Sequence, residues 1–488
     1  MSLGEKTVKG VIWNYVSFAS GKFLTFISTI ILARLLVPEQ FGLVALALLV
    51  IQYLDAIGDL GISAALVYQR DNLERAKNVA FIVSLLAGVF LAIVTALAAP
   101  AIANFYKEPD MIPMLQVLAI TQIITALGQT HMSILTKDLN FRQKLIPDLA
   151  RSLAKGLVSI VLALIGWGAW SLIWGQVAAT VATTLVLFII VKWRPKLEWD
   201  WNLAKDMLNY GGQIVLLQVI SVVWSTADYI IVGNMLGRTD LAYYQQAFRV
   251  ADLLIINIAF VVGRVLFPSY AKISDNMDLL RDSFRNTVRY ISLVAVPLSV
   301  GIAAVGPMFV SLVFGPNWTA MTPALQLLAI RAGISTLSFN TGHLLKAIGK
   351  PDIINYQMVI KLVVLVVAVL VTVPYGFVAV AWSQVVVAVF NMVLEFATMV
   401  WLIKVSPMEI WREMQPAVLA STGMGLLVWL LSSNIPEAWY LLGIIGGGVL
   451  GVVAYVGLLW FTGRDIFLDS WQWIRRIMLK RRTAARQS

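Results

Sequence analysis

Residues 115–120 read LQVLAI and residues 325–330 read LQLLAI, and each run follows a proline, Pro113 and Pro323. The pattern PxLQxLAI therefore occurs twice, 210 positions apart. Residues 168–177, GAWSLIWGQV, and 376–385, GFVAVAWSQV, share a glycine, a tryptophan six residues on and then Gln-Val, at an offset of 208. ARLLVPEQFG from Ala33 pairs more weakly with GNMLGRTDLA from Gly233, at an offset of 200. Three matches in order at a nearly constant offset point to internal duplication rather than to chance likeness among apolar helices.

The duplicated material is apolar. Of 488 residues, 59% are hydrophobic and 13% charged, 17 are Trp, and the mean hydropathy is +0.82. A soluble chain carries about a quarter charged residues and has no way to bury this much apolar surface. Fourteen apolar segments run from 10–34 to 438–461, most close to the roughly 20 residues that cross a bilayer. Backbone polar groups in lipid must be satisfied within the segment, so these segments are expected as helices. Met1 to Gly10 is short and polar, and the apolar run after it is too long for a cleavable signal, so the first helix is expected to serve as the insertion signal. With no Cys and two His, neither thiol chemistry nor a metal site is expected, and no cofactor.

Charge orients the segments. Connections on one side, with both termini, hold 27 of the 37 Lys and Arg, whereas the alternate connections hold Arg34, Lys107 and Arg238. The positive-inside rule then places both termini in the cytoplasm with an even helix count. It also accounts for the net charge of +11 without nucleic acid. The tail stretch WQWIRRIMLKRR reads as an interfacial amphipathic helix, in contact with membrane lipids. Six helices separate equivalent points of the repeat, so the halves share one orientation, the arrangement of a secondary transporter. The expected class is all-α integral membrane: about 14 transmembrane helices, two parallel six-helix repeats forming N- and C-lobes, and two extra C-terminal helices. The expected boundaries are an N-lobe at 1–192, a cytoplasmic linker at 193–207, a C-lobe at 208–403, helices 13–14 at 404–462 and a basic cytoplasmic tail at 463–488.

MSLGEKTVKG at the start, ILARLLVPEQFGLVALAL, DLGISAALV, VLFPSYAKISD at 265–275 and LVFGPNW with PALQLLAI at 312–330 carry a resemblance. The chain resembles the polysaccharide-transporter branch of the MOP flippases and is most similar there to Wzx-type lipid-linked oligosaccharide flippases, the colanic-acid exporter group in particular. That resemblance runs through the twelfth helix and weakens over the last two. It implies fourteen helices in two V-shaped lobes in a bacterial inner membrane. It also implies movement of an undecaprenyl-pyrophosphate-linked sugar unit to the outer leaflet, for exopolysaccharide, capsule or lipopolysaccharide synthesis. The implied partners are that lipid-linked oligosaccharide and the polysaccharide polymerase or export machinery.

Seven cations fall inside apolar segments: Lys22, Arg151, Lys155, Arg249, Arg264, Arg331 and Lys361. Five acids accompany them: Asp55, Asp59, Asp228, Asp252 and Glu395. An intramembrane charge costs about 2.5–3.5 kcal/mol even on insertion scales, so each should face water or a partner. Arg264 could snorkel from a helix end, and Arg249 with Asp252 could be a structural pair. Arg151 and Lys155 are like charges four apart on one face, unfavourable unless an anion lies between them. At offset 208 they correspond to positions 359 and 363, which straddle Lys361. A funnel of cations suits a pyrophosphate, whose oxygens take Arg forks and Lys ammoniums. Asp55, Asp59, Asp228, Asp252, His131 and His343 are candidates for ion coupling or charge balance, the His pair also for plain interhelical packing. Trp224, Tyr229, Gln245, Gln246 and Asn340 are candidates for sugar selectivity nearer the outer half, or again for packing.

Three functional classes remain open: a lipid-linked oligosaccharide flippase, a multidrug or cation antiporter of the same superfamily, and a membrane polysaccharide polymerase or ligase. An antiporter for cations wants a cavity dominated by acids. An enzyme wants substantial outward loops with catalytic groups, and the outward connections are short. No nucleotide-binding GxxxxGK[ST] occurs.

Overall fold

The structure, a computed structural model, describes residues 20–69, 71–138, 140–465 and 468, with the backbone alone at 141 and 257–265. Lys6, Lys9, Arg70 and the stretch WQWIRRIMLKRR lie outside the described residues, as does the side chain of Arg264. Every regular element among the described residues is helical. They are α1 (20–35), α2 (Pro38–Gly58), α3 (Ile62–Tyr68), α4 (Leu73–Tyr106), α5 (Met111–Lys137), α6 (Phe141–Leu164), α7 (Ala169–Ile190) and α8 (Trp201–Met235). There follow α9 (Arg238–Ala271), α10 (Met277–Val313), α11 (Thr322–Leu337), α12 (Asn340–Ala347), α13 (Pro351–Thr372), α14 (Phe377–Ile403), α15 (Pro407–Ser432) and α16 (Tyr440–Thr462).

Taking α2 with α3 and α11 with α12, these passages follow the apolar segments of the sequence in order. Among the described residues ten helices, α2–α3 counted once, are long and apolar enough to cross a membrane. The second and tenth segments differ from expectation, because each is broken in two. Between α2 and α3 the chain turns through Leu60 (φ 46°) and Gly61 (φ 66°), a left-handed pair that ends one helix and starts the next. Between α11 and α12 the break falls at Ser338 and Phe339, with no proline or glycine to announce it.

The chain divides into two compact units, Met1–Ala242 and Tyr243–Ser488. In the first, α4 packs along α5, α5 along α7, and α7 along α6. In the second, α10 packs along α11, α11 along α14, and α14 along α13. The two units repeat one packing order. That is why PxLQxLAI is written twice: Met111, Leu115, Leu118 and Ala119 are buried on α5, and Leu325, Leu328 and Ala329 are buried on α11, with Met321 buried just before its first residue. The shared glycines have the same physical reason. Gly168 (φ 53°) and Gly376 (φ 94°) have positive φ just before α7 and α14, where a Cβ would be strained. Lipid is as apolar as leucine, so small side chains and close approach, rather than hydrophobic expulsion, hold such helices together.

The repeat and the packing divide the chain at different places. α8 begins inside the expected 193–207 linker, at Trp201, and it packs on α2, α3 and α4 within the first unit. Its Gly211 meets Gly61 backbone to backbone, and a Cβ on either would collide. Gly42 likewise faces the backbone of Arg238. The stretch 191–200 before α8 has no regular structure and is pinned to α4: Asn78 Nδ2 donates to Glu198 Oε2 (2.9 Å), and its Oδ1 accepts from the Lys196 amide (3.1 Å).

The last two helices attach to the second unit through α10. Arg285 pairs with Glu409 (3.1 Å) and Arg289 with Glu413 (2.5 Å), tying the basic end of α10 to α15. On α16, Gly443, Gly447 and Gly451 form a buried small-residue stripe at four-residue spacing, the close-packing pattern of membrane helices.

Candidate functional site

The first unit holds a cavity of about 400 Å³. Its polar lining comes at helical spacing from several elements. Asp55 and Asp59 stand one turn apart at the end of α2, and Gln122, Thr125 and Gln129 share one face of α5. Thr180, Thr183 and Thr184 come from α7, Arg151 from α6 and Gln218 from α8. The carboxylates are held by amides: Gln122 Nε2 donates to Asp55 (3.1 Å), and Gln129 Nε2 donates to Asp59. Asp59 also accepts from the Ser63 amide at 3.1 Å, at the start of α3. At the other end of α3 the Lys137 ammonium donates to the carbonyls of Leu66 (3.0 Å), Val67 (3.2 Å) and Gln69. One short helix is thus held at its positive end by a carboxylate and at its negative end by a cation, the favourable sense for its dipole.

Among the described residues, Arg151 is the intramembrane cation that lines this cavity, with Asp55 and Asp59 as its other charged groups. Lys155, one turn further along α6, donates to Gln176 Oε1 at 2.9 Å. In the second unit Arg331 pairs with Asp252 (2.6 Å) and lies over the Phe248 ring, 4.1 Å from its centroid, while Lys361 pairs with Glu395. Lys155 and Lys361, on the equivalent helices α6 and α13, both reach a polar group on the next helix, α7 or α14. Lys22 and Arg249 are exposed on α1 and α9.

Asp228 is buried, its carboxylate accepting from the Tyr229 amide (3.0 Å), and its near neighbour Thr226 shares a hydrogen bond with Tyr53 (2.7 Å). His131 is fully buried between Phe188 and Trp193, with ring centroids 4.1 and 5.2 Å away. His343 lies 5.3 Å from the Phe339 ring. Tyr229, Gln245, Gln246 and Asn340 are buried, while Trp224 is half-buried. Asn340 lies beside Tyr270 (3.5 Å), and Tyr270 belongs to the core built from the basic end of α10 and the start of α15. The polar lining of α5 and α7 is what the sequence reading missed; its signal was Gln and Thr recurring three and four apart inside apolar helices.

Long apolar helices in two units with one packing order define a polytopic membrane protein of the MOP fold. The lipid II flippase MurJ, solved in an inward closed conformation, shares that fold with a TM-score of 0.76 at 14% identity, over 93% of this chain and 99% of that one. The chain belongs to the polysaccharide biosynthesis protein family, whose model matches residues 31–323. Teichuronic acid biosynthesis protein TuaB of Bacillus subtilis (strain 168) is 24% identical over 432 residues, covering 88% of this chain and 89% of that protein. Succinoglycan biosynthesis transport protein ExoT of Rhizobium meliloti (strain 1021) is 24% identical over 477 residues, covering 95% of each. The matches agree with the resemblance read from the sequence.

Proposed function

We propose that the chain is a flippase that carries undecaprenyl-pyrophosphate-linked oligosaccharide units from the cytoplasmic to the outer leaflet of a bacterial inner membrane, by alternating access. The observation that carries the reading is the pair Arg151 and Lys155, like charges one turn apart on α6 with Arg151 opening into a polar cavity. Such a pair is stabilised by an anion that bridges it, and a diphosphate offers the charge and the acceptor oxygens to do so. Relatives named for polysaccharide biosynthesis and transport support the same class. Arg249, Arg264, Arg331, Lys361 and Lys22 complete the proposed cation set. Binding to nanodisc-embedded protein tests it: a polyprenyl diphosphate should bind at least about tenfold tighter than the monophosphate, because charge-assisted hydrogen bonds each contribute about 1.5–3 kcal/mol. Equal binding of the two lipids would remove the basis of the reading.

One observation favours the antiporter alternative. The cavity sets two carboxylates against one guanidinium, the balance that attracts cations. Uptake of a cationic dye by proteoliposomes separates the readings: a flippase leaves the dye outside, an antiporter accumulates it.

The reading includes fourteen crossings with both termini cytoplasmic. Reporter fusions after Gln40, Pro109 or Pro316 should then signal outside, and fusions near Arg142 or Lys196 inside. Reversed signals at any two sites would overturn this orientation.

A further inference from the structure

We propose that the cavity of the first unit is the subsite for the sugar attached to the diphosphate, and that it takes a neutral, hydroxyl-rich ring and rejects a uronate. The inference rests on the diphosphate reading through Arg151, which lines the same cavity and places the lipid's phosphates beside it.

The lining chemistry is that of hydroxyl recognition. A sugar hydroxyl both donates and accepts, so it matches carboxylates that accept, amides that do both and threonine hydroxyls that do both. Asp55, Asp59, Gln122, Gln129, Thr125 and Thr183 supply all three kinds around one space. Among the described residues no aromatic ring lines it, so selectivity falls to hydrogen bonds rather than stacking. At about 400 Å³ the space falls within the roughly 300–1,000 Å³ of small-molecule sites.

A bare cation fits less well. Both carboxylates already accept from glutamine amides, Arg151 adds a positive charge, and no group of three or more His, Cys, Asp or Glu among the described residues is placed to hold a metal ion. Exclusion of uronates follows from the same carboxylates. A sugar carboxylate would bring a third negative charge against Asp55 and Asp59, a repulsive element of the kind that creates specificity.

The test is binding of three probes to the full chain in nanodiscs: polyprenyl diphosphate with no sugar, with a neutral hexose, and with a hexuronate. The hexosyl lipid should bind about tenfold tighter than the sugar-free one, and the hexuronosyl lipid no tighter than the sugar-free one. Thr125→Val with Thr183→Val, which keeps side-chain shape, should erase the hexosyl advantage. Asp55→Asn with Asp59→Asn should raise hexuronosyl affinity about tenfold, and this second variant decides the matter should the first fail to fold. A wild-type protein that binds the hexuronosyl lipid as tightly as the hexosyl one, or a valine variant that weakens all three lipids alike, would overturn the subsite. If diphosphate and monophosphate lipids bind equally, the parent reading fails by itself. Alkyl hexoside against alkyl hexuronoside then judges the subsite: preference for the hexoside supports it, and equal binding refutes it.

Discussion

Replacing Arg151 and Lys155 together with glutamine should lower export of the lipid-linked glycan about a hundredfold or more, with protein level and membrane insertion unchanged. The two side chains are one turn apart on α6, Arg151 facing the cavity and Lys155 donating to Gln176. Gln176 keeps a hydrogen-bonding partner if position 155 becomes glutamine, and removing two like charges relieves repulsion in the helix. The double variant should therefore fold at least as well as the parent. What it loses is two charge-assisted contacts to a diphosphate. Export at the parental rate from a well-expressed double variant would refute the assignment of these residues.

The second large effect is expected at Lys361. Its ammonium pairs with Glu395 across α13 and α14, and both side chains are more than four-fifths buried. Lys361→Met leaves that carboxylate without its partner, which for a buried pair costs about 3–5 kcal/mol, so the single variant should melt earlier and accumulate poorly. Lys361→Met with Glu395→Leu removes both charges and should restore the melting temperature. Export separates the two roles of the lysine. If Lys361 also grips the diphosphate, the stable double variant should export at under about a tenth of the parental rate. Full export would make the pair purely structural and confine the phosphate contacts to the other cations.

The duplication was legible because packing is local to the motif. Leu115, Leu118, Leu325 and Leu328 are buried because neighbours at three- and four-residue spacing share a helix face, a periodicity that the letters carry directly. Gly168 and Gly376 were legible for a related reason, since a left-handed residue before a helix leaves a glycine in the sequence. The break at Ser338 and Phe339 left no such mark. Ion pairing was less legible still. Lys361 and Glu395 are 34 positions apart on different helices, and Arg331 and Asp252 are 79 apart, so only tertiary structure brings them together. A count of seven cations against five acids suggested a funnel of unsatisfied charge, but it holds no information about which charges already answer one another. The cavity escaped for a similar reason: Gln122, Gln129 and Thr183 read as a polar stripe on each helix, and only the packing of α2, α5 and α7 turns the stripes toward one space.

The central claim is movement of a diphosphate-linked glycan across the bilayer. Purified protein in vesicles, loaded with a fluorescent polyprenyl diphosphate hexoside on one leaflet, tests it most directly. About half of the signal should lose its protection from an external quencher within the assay, the movement should depend on the diphosphate, and the Arg151→Gln/Lys155→Gln variant should leave the lipid in place. A wild-type protein that leaves the lipid in its original leaflet while accumulating a cationic dye would contradict it.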